Sequence, residues 1–97
     1  MHLEHAIIEW GKSRGLMGSG TTQEKRLAKL TEEVGELCRE VLHNNPSSAA
    51  LEIGDCYVVL CQIAYKLGFD MDKCADMAYS KIVDRRGRLV DGTFVKD

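Results

Sequence analysis

Residues 51–67, LEIGDCYVVLCQIAYKL, constrain this chain more than any other stretch. At about 100° per residue, its apolar positions from Ile53 to Leu67 cover well over half of a helix's circumference. A helix of that kind must be buried against neighbours on several sides. Yet it carries Glu52 and Asp55, on a face shared with Val59, Gln62 and Lys66. Carboxylates in such surroundings lie in a crevice rather than in open solvent. Two of them about 4 Å apart repel by roughly 4 kcal/mol at an effective dielectric near 20. Something must offset that repulsion.

The flanking sequence supplies the neighbours. Leu3, Ala6, Ile7 and Trp10 recur at helical spacing, predicting a first helix over His2–Ser13. RGLMGSGTT then reads as a glycine-rich loop. Thr21 and Glu24 form a T-x-x-E capping box ahead of a second helix, about Thr22–Leu42. There Leu27, Leu30, Val34, Leu37 and Val41 step by three and four, a seam suited to another helix. HNNPSS breaks the chain, with Asn45 as cap and Pro46 in a first turn. The third helix is expected over about Ser47–Leu67, ended by Gly68. Asp70 caps a fourth, about Met71–Arg86, and the tail GRLVDGTFVKD reads as irregular or briefly extended. No strand pattern of useful length is apparent. The expectation is one all-α domain over 1–97, a four-helix antiparallel bundle with mostly short connections.

KLTEEVGELCRE adds a second anomaly: Glu32, Glu33, Glu36 and Glu40 stand within nine residues, and like charges three and four apart on a helix repel. Glu33, Glu36 and Glu40 fall along one flank of the seam, with Glu32 further round. Pairing with Lys29 and Arg26, on the same flank as Glu33, would make this a solvated charged face. ExxE on one helix and ExxD on its hairpin neighbour favour a single cause for both anomalies, a divalent cation. Hard oxygen ligands suit Mg²⁺ and Mn²⁺.

A net charge of −2 gives no basic field for nucleic acid. No uninterrupted apolar run reaches the roughly 18 residues of a membrane span, and the N-terminus lacks the pattern of a secretory signal. Cys38, Cys56, Cys61 and Cys74 form no CxxC pair and read as buried free thiols in a reducing cytoplasm.

EEVGEL, EIGD and the closing KIVDRRGRLVDGTFVK together resemble the MazG-like all-α nucleoside triphosphate pyrophosphohydrolases. The resemblance runs over most of the chain and is strongest over 27–67. It implies Mg²⁺, with Mn²⁺ able to substitute, held by Glu33, Glu36, Glu52 and Asp55. It gives Glu32 and Glu33 catalytic parts in a cleavage of the α–β phosphoanhydride that yields monophosphate and pyrophosphate, a nucleotide-pool housecleaning reaction. An anionic triphosphate needs facing cations. Lys81, Arg85 and Arg88 share a helical face if the fourth helix persists through Gly87. The resemblance favours Lys81 and Arg85, with Lys96 a weaker candidate. Trp10 is the only tryptophan, and the resemblance offers it to the base. The loop Gly15–Thr21 is placed to close over a ligand.

Two other readings compete. A di-iron carboxylate bundle needs two ExxH motifs, and only Glu40-x-x-His43 fits. A non-enzymatic helical interaction module would leave the acids as solubilising charge. On any of these readings the third helix has more apolar surface than four helices cover, so a homodimer or a dimer of dimers is expected.

Overall fold

Helix starts follow the capping side chains. The computed structural model describes residues 2–97, in the order α1 (His2–Ser13), α2 (Gln23–Leu42), α3 (Pro46–Lys66), α4 (Met71–Ile82), β1 (Gly87–Val90) and β2 (Thr93–Lys96). Thr22 Oγ1 accepts from Lys25 N at 3.2 Å, Asn45 Oδ1 from Ser48 N at 3.4 Å and Asp70 Oδ1 from Lys73 N at 2.7 Å. Each side chain satisfies a backbone donor that the first turn leaves unpaired. The α2 cap is therefore Thr22, one residue past the expected capping box. Pro46 opens α3 as anticipated, where its missing N–H costs nothing. Past the C-terminus of α3, Gly68 takes the positive φ of 88°.

α2, α1 and α4 each pack against α3. Among the described residues, five of the six buried apolar ones belong to α3: Ala49, Cys56, Val59, Cys61 and Ala64, joined by Ile8 of α1. The helix meets neighbours on several sides as expected, but its burial is partial, with Leu51, Ile53, Leu60 and Tyr65 exposed. Its length and mean hydropathy of 1.2 also match a membrane span. Only 28% of that stretch is buried, but Glu52 and Asp55 within it and three packed neighbours fit the central helix of a bundle.

Two expectations need correction. The seam on α2 does not face α3 as a whole. Leu30 and Leu37 are half-buried while Leu27, Val34 and Val41 are exposed. The inward row runs through Arg26, Leu30, Glu33, Leu37 and Glu40, so the helix is turned to carry carboxylates into the hairpin. The fourth helix stops at Ile82, not near Arg86, and residues 87–96 form an antiparallel hairpin pairing Gly87 with Lys96 and Val90 with Thr93. The signal was Asp91-Gly92, whose φ of 51° and 80° suit a two-residue hairpin turn. Four-residue strands are too short for alternation to reveal. At Gly87 a Cβ would strike the Val95 carbonyl and the Phe94 ring.

The free thiols also divide: Cys56 and Cys61 are buried, Cys74 is half-buried and Cys38 is exposed. Burial pushes the Cys56 and Cys61 thiols up, away from the reactive thiolate.

Apolar surface is left over. α4 buries no residue. Ile53, Leu60 and Leu67 recur every seven residues on α3 and stay exposed, Leu67 by 63%. The radius of gyration is 16.0 Å, against about 12.5 Å for a compact chain of this length.

Candidate functional site

The antiparallel α2–α3 hairpin sets Glu33 and Glu36, one turn apart, across from Glu52. One carboxylate oxygen from each lies within 4.8 Å of the others. Glu33 is only 6% exposed, and the other two are half-buried. Oε2 of Glu33 and Oε2 of Glu52 are buried with no hydrogen-bond partner. An orphaned buried carboxylate oxygen is costly, and two of them face a third negative group.

The surroundings of Glu52 carry the same crowding into its acidity. Its carboxyl is raised from 4.5 to about 7, first by burial, then by the hydrogen bond it donates to Glu33 when protonated. The charges of Glu36, Asp55 and Glu33 add to the effect. A proton is thus one way to quiet the cluster. A divalent cation is the other, and the donor set fits one: three carboxylates from two rigid helices, two of which carry an unpartnered oxygen. The folded state binds the Glu52 proton more tightly than the unfolded chain does. Metal-free protein should therefore lose stability as pH rises from about 4.5 to about 7. MgCl₂ should raise the melting temperature more at about pH 8 than at about pH 6, where the proton competes. A thermal-shift series across pH reads both slopes. Stability that climbs through this window would show Glu52 ionising freely.

Of the residues expected to hold metal, Glu33, Glu36 and Glu52 converge. Asp55 stands one turn on and lines the adjoining cavity with Glu33, but it is not one of the three clustered groups. Glu32 lies outside. Its side chain is 59% exposed and sits 3.6 Å from Lys29 Nζ, which also reaches Glu33 Oε1 at 3.2 Å. Lys29 thus pairs as the sequence suggested, whereas Arg26 turns to Gln62 instead.

The cavity holds about 280 Å³ and runs from Glu33 and Asp55 past Arg26 and Gln62 to Trp10 and Leu16. Trp10 is half-exposed on its wall. The glycine-rich loop, whose Leu16 lines this end, is tethered to α3. Lys66 Nζ donates to the carbonyls of Gly18 at 3.3 Å and Thr21 at 3.4 Å. A larger hollow of about 460 Å³ lies between α1 and the start of α4. Glu4, Glu9, Asp70 and Asp72 outnumber Lys12 there, so it repels anions.

Lys81, Arg85 and Arg88 do not share a helical face. Lys81 is in the last turn of α4, Arg85 follows the helix and Arg88 is in β1. All three are exposed. The cations that do line the cavity are Arg26 and Lys29. Sequence reasoning placed both on the Glu33 flank but gave them only a pairing role. Gln62 was legible only as a polar residue on the carboxylate face of an apolar helix.

Comparison with known proteins agrees with this geometry. The MazG nucleotide pyrophosphohydrolase domain matches residues 21–90, which include every member of the carboxylate cluster. An uncharacterized 18.2 kDa protein in the rep–hol intergenic region of Haemophilus phage HP1 (strain HP1c1) is 43% identical over 58 residues. That match covers 60% of this chain and 35% of the phage protein, so the chain spans about a third of that relative's length. No solved structure matches. With most of its length matched by the family profile, and the acidic hairpin inside the matched region, the chain belongs to the MazG nucleotide pyrophosphohydrolase family.

Proposed function

We propose that this protein hydrolyses the α–β phosphoanhydride of a nucleoside triphosphate, releasing the monophosphate and pyrophosphate, with Mg²⁺ as cofactor. The observation that carries this reading is the pair of unpartnered oxygens of Glu33 and Glu52 in a three-carboxylate cluster at one end of a cavity. Family membership supports the reaction class.

Glu33, Glu36 and Glu52 would hold the ion, with Asp55 beside them on the cavity side. Bound there, Mg²⁺ or Mn²⁺ supplies positive charge to phosphate oxygens as the transition state gains negative charge. The protein's own groups do the rest. Glu33 reaches both the cluster and the cavity, so its carboxylate can accept the proton of an attacking water. Glu32 supports it through the shared Lys29 ammonium, which sets Glu33 in place at 3.2 Å. Lys29 puts a cation on the cavity wall beside the carboxylates, where the polyphosphate enters, while Arg26 is turned to Gln62. Lys81, Arg85 and Arg88 stay available for the outer phosphates, having no ion-pair partner among the described residues. Trp10 offers a flat apolar face to the base.

Assembly belongs to the same proposal. On the wheel, Leu27, Val34 and Val41 of α2 lie away from Glu36, and Ile53, Leu60 and Leu67 of α3 lie away from Asp55 and Gln62. Both stripes therefore fall on the back of the hairpin, opposite the cavity. A second copy of this chain, docking back to back, would bury them and leave the site open.

Incubation of the purified protein with nucleoside triphosphates and MgCl₂, resolved by phosphorus NMR, tests the reaction. Monophosphate and pyrophosphate are expected in equal amounts. Diphosphate with orthophosphate, or unchanged substrate across a panel of canonical and modified nucleotides, would overturn it.

A further inference from the structure

Gln62 lies in the most apolar stretch of α3 and is wholly buried, at 0% exposure. A buried amide carries two donors and two acceptor lone pairs, and each seeks a partner. Here only the oxygen is answered: Arg26 Nη1 donates to Gln62 Oε1 at 2.7 Å. A guanidinium has no acceptor, so this bond fixes the amide with its oxygen toward Arg26. The NH₂ is left over. Gln62 Nε2 and Arg26 Nε are both buried without a partner among the described residues. Both residues line the 280 Å³ cavity. α1 offers the amide no polar side chain: Gly11 stands beside Nε2, and the Met17 thioether packs against the same glycine.

Position along α3 gives these donors a target. Gln62 follows Asp55 by seven residues, about 10 Å of helix. That is the scale of a nucleoside between its 5′-phosphate and the outer edge of its base. Phosphates beside Asp55 would bring the base to Gln62, with Trp10 on the same cavity wall.

We propose that Gln62, oriented by Arg26, reads the base of the bound nucleotide and selects bases with two adjacent hydrogen-bond acceptors. The inference rests on the nucleotide reading above. Cytosine offers N3 and O2, and guanine offers O6 and N7. Adenine sets its 6-amino donor beside both N1 and N7, and uracil places N3–H between its carbonyls. A wall that presents only donors leaves one of them unanswered against adenine or uracil. Gln62 touches the base, and Arg26 is a positioning residue that keeps the amide from turning over.

Calorimetry with non-hydrolysable α,β-imido analogues of CTP, GTP, ATP and UTP, in MgCl₂, tests this without relying on turnover. The CTP or GTP analogue should bind at least about tenfold more tightly than those of ATP and UTP, the worth of one net hydrogen bond. Gln62→Glu keeps an acceptor for Arg26 but replaces the donors with a second acceptor. It should abolish the preference, act on KM rather than kcat and leave the melting temperature within a few degrees. Arg26→Met frees the amide to rotate, and should narrow the margin between cytosine and uracil. Equal binding of all four analogues by the wild type, or of none, overturns the proposal, as does a preference intact in Gln62→Glu. The wild-type series decides even if a variant fails to fold. Equal binding with pyrophosphate still released removes this inference alone. Base-selective binding without any pyrophosphate release removes the hydrolase reading and leaves this one standing.

Discussion

Glu36→Gln is expected to cut pyrophosphate release by about a thousandfold, because loss of several kcal/mol of transition-state charge stabilisation scales in that way. The same substitution should raise the melting temperature of metal-free protein by a few degrees. The two effects have one origin. Glu36 adds charge to a cluster in which Glu33 and Glu52 already hold unpartnered buried oxygens. Removing that charge relieves repulsion and lets Glu52 ionise at lower pH, since Glu36 is one of the groups holding it up. It also removes a ligand, so the stabilisation by MgCl₂ seen in the wild type should largely disappear. Thermal shift with and without MgCl₂, beside a pyrophosphate-release assay, reads all three quantities. A carboxylate kept only for solubility would give the opposite pattern: unchanged or lower stability and unchanged activity.

The second large effect concerns assembly. Leu60→Glu should break the oligomer and lower the melting temperature by well over 10 °C. Leu60 is exposed in the single chain, and so its replacement by a charged residue would cost almost nothing if that surface met water. In a back-to-back pair it sits among Ile53, Leu67 and the Leu27–Val34–Val41 stripe. A carboxylate there is an unpaired buried charge, which typically costs 3–5 kcal/mol. For a domain of this size each kcal/mol moves the melting temperature by about 4–8 °C. Light scattering should give a wild-type mass well above 10.8 kDa and a mass near the monomer for the variant. Cys38, exposed beside the same stripe, should react slowly with a thiol reagent in the assembled wild type and quickly in Leu60→Glu. A wild-type monomer at micromolar concentration would contradict the packing.

How far the sequence could be read depended on the range of each interaction. The contacts of α3 with several neighbours, its break at Gly68 and the caps Asn45 and Asp70 follow from local pattern, and all were visible. The convergence of Glu33, Glu36 and Glu52 was also visible, because two helices in a short hairpin have few registers open to them. Other features escaped. The rotation of α2 that turns Glu33 inward, and leaves Val34 out, is set by which face best fits α3. A three-four repeat read on one helix cannot supply that. The hairpin at 87–96 was hidden by the brevity of its strands, although Asp91-Gly92 marked its turn. The shared face of Lys81, Arg85 and Arg88 depended on a helix that in fact stops at Ile82. Gln62 looked like one polar residue among apolar ones until its bond to Arg26, 36 positions away, showed which end of the amide was spoken for.

The central claim is that carboxylates from α2 and α3 jointly grip a divalent cation. An anomalous difference map from crystals grown with MnCl₂ tests it most directly. A peak should appear among Glu33, Glu36 and Glu52, within about 2.5 Å of an oxygen of each, on the side that opens to the cavity. Absence of any peak there, with the three side chains swung apart and paired only to lysines, would contradict the account.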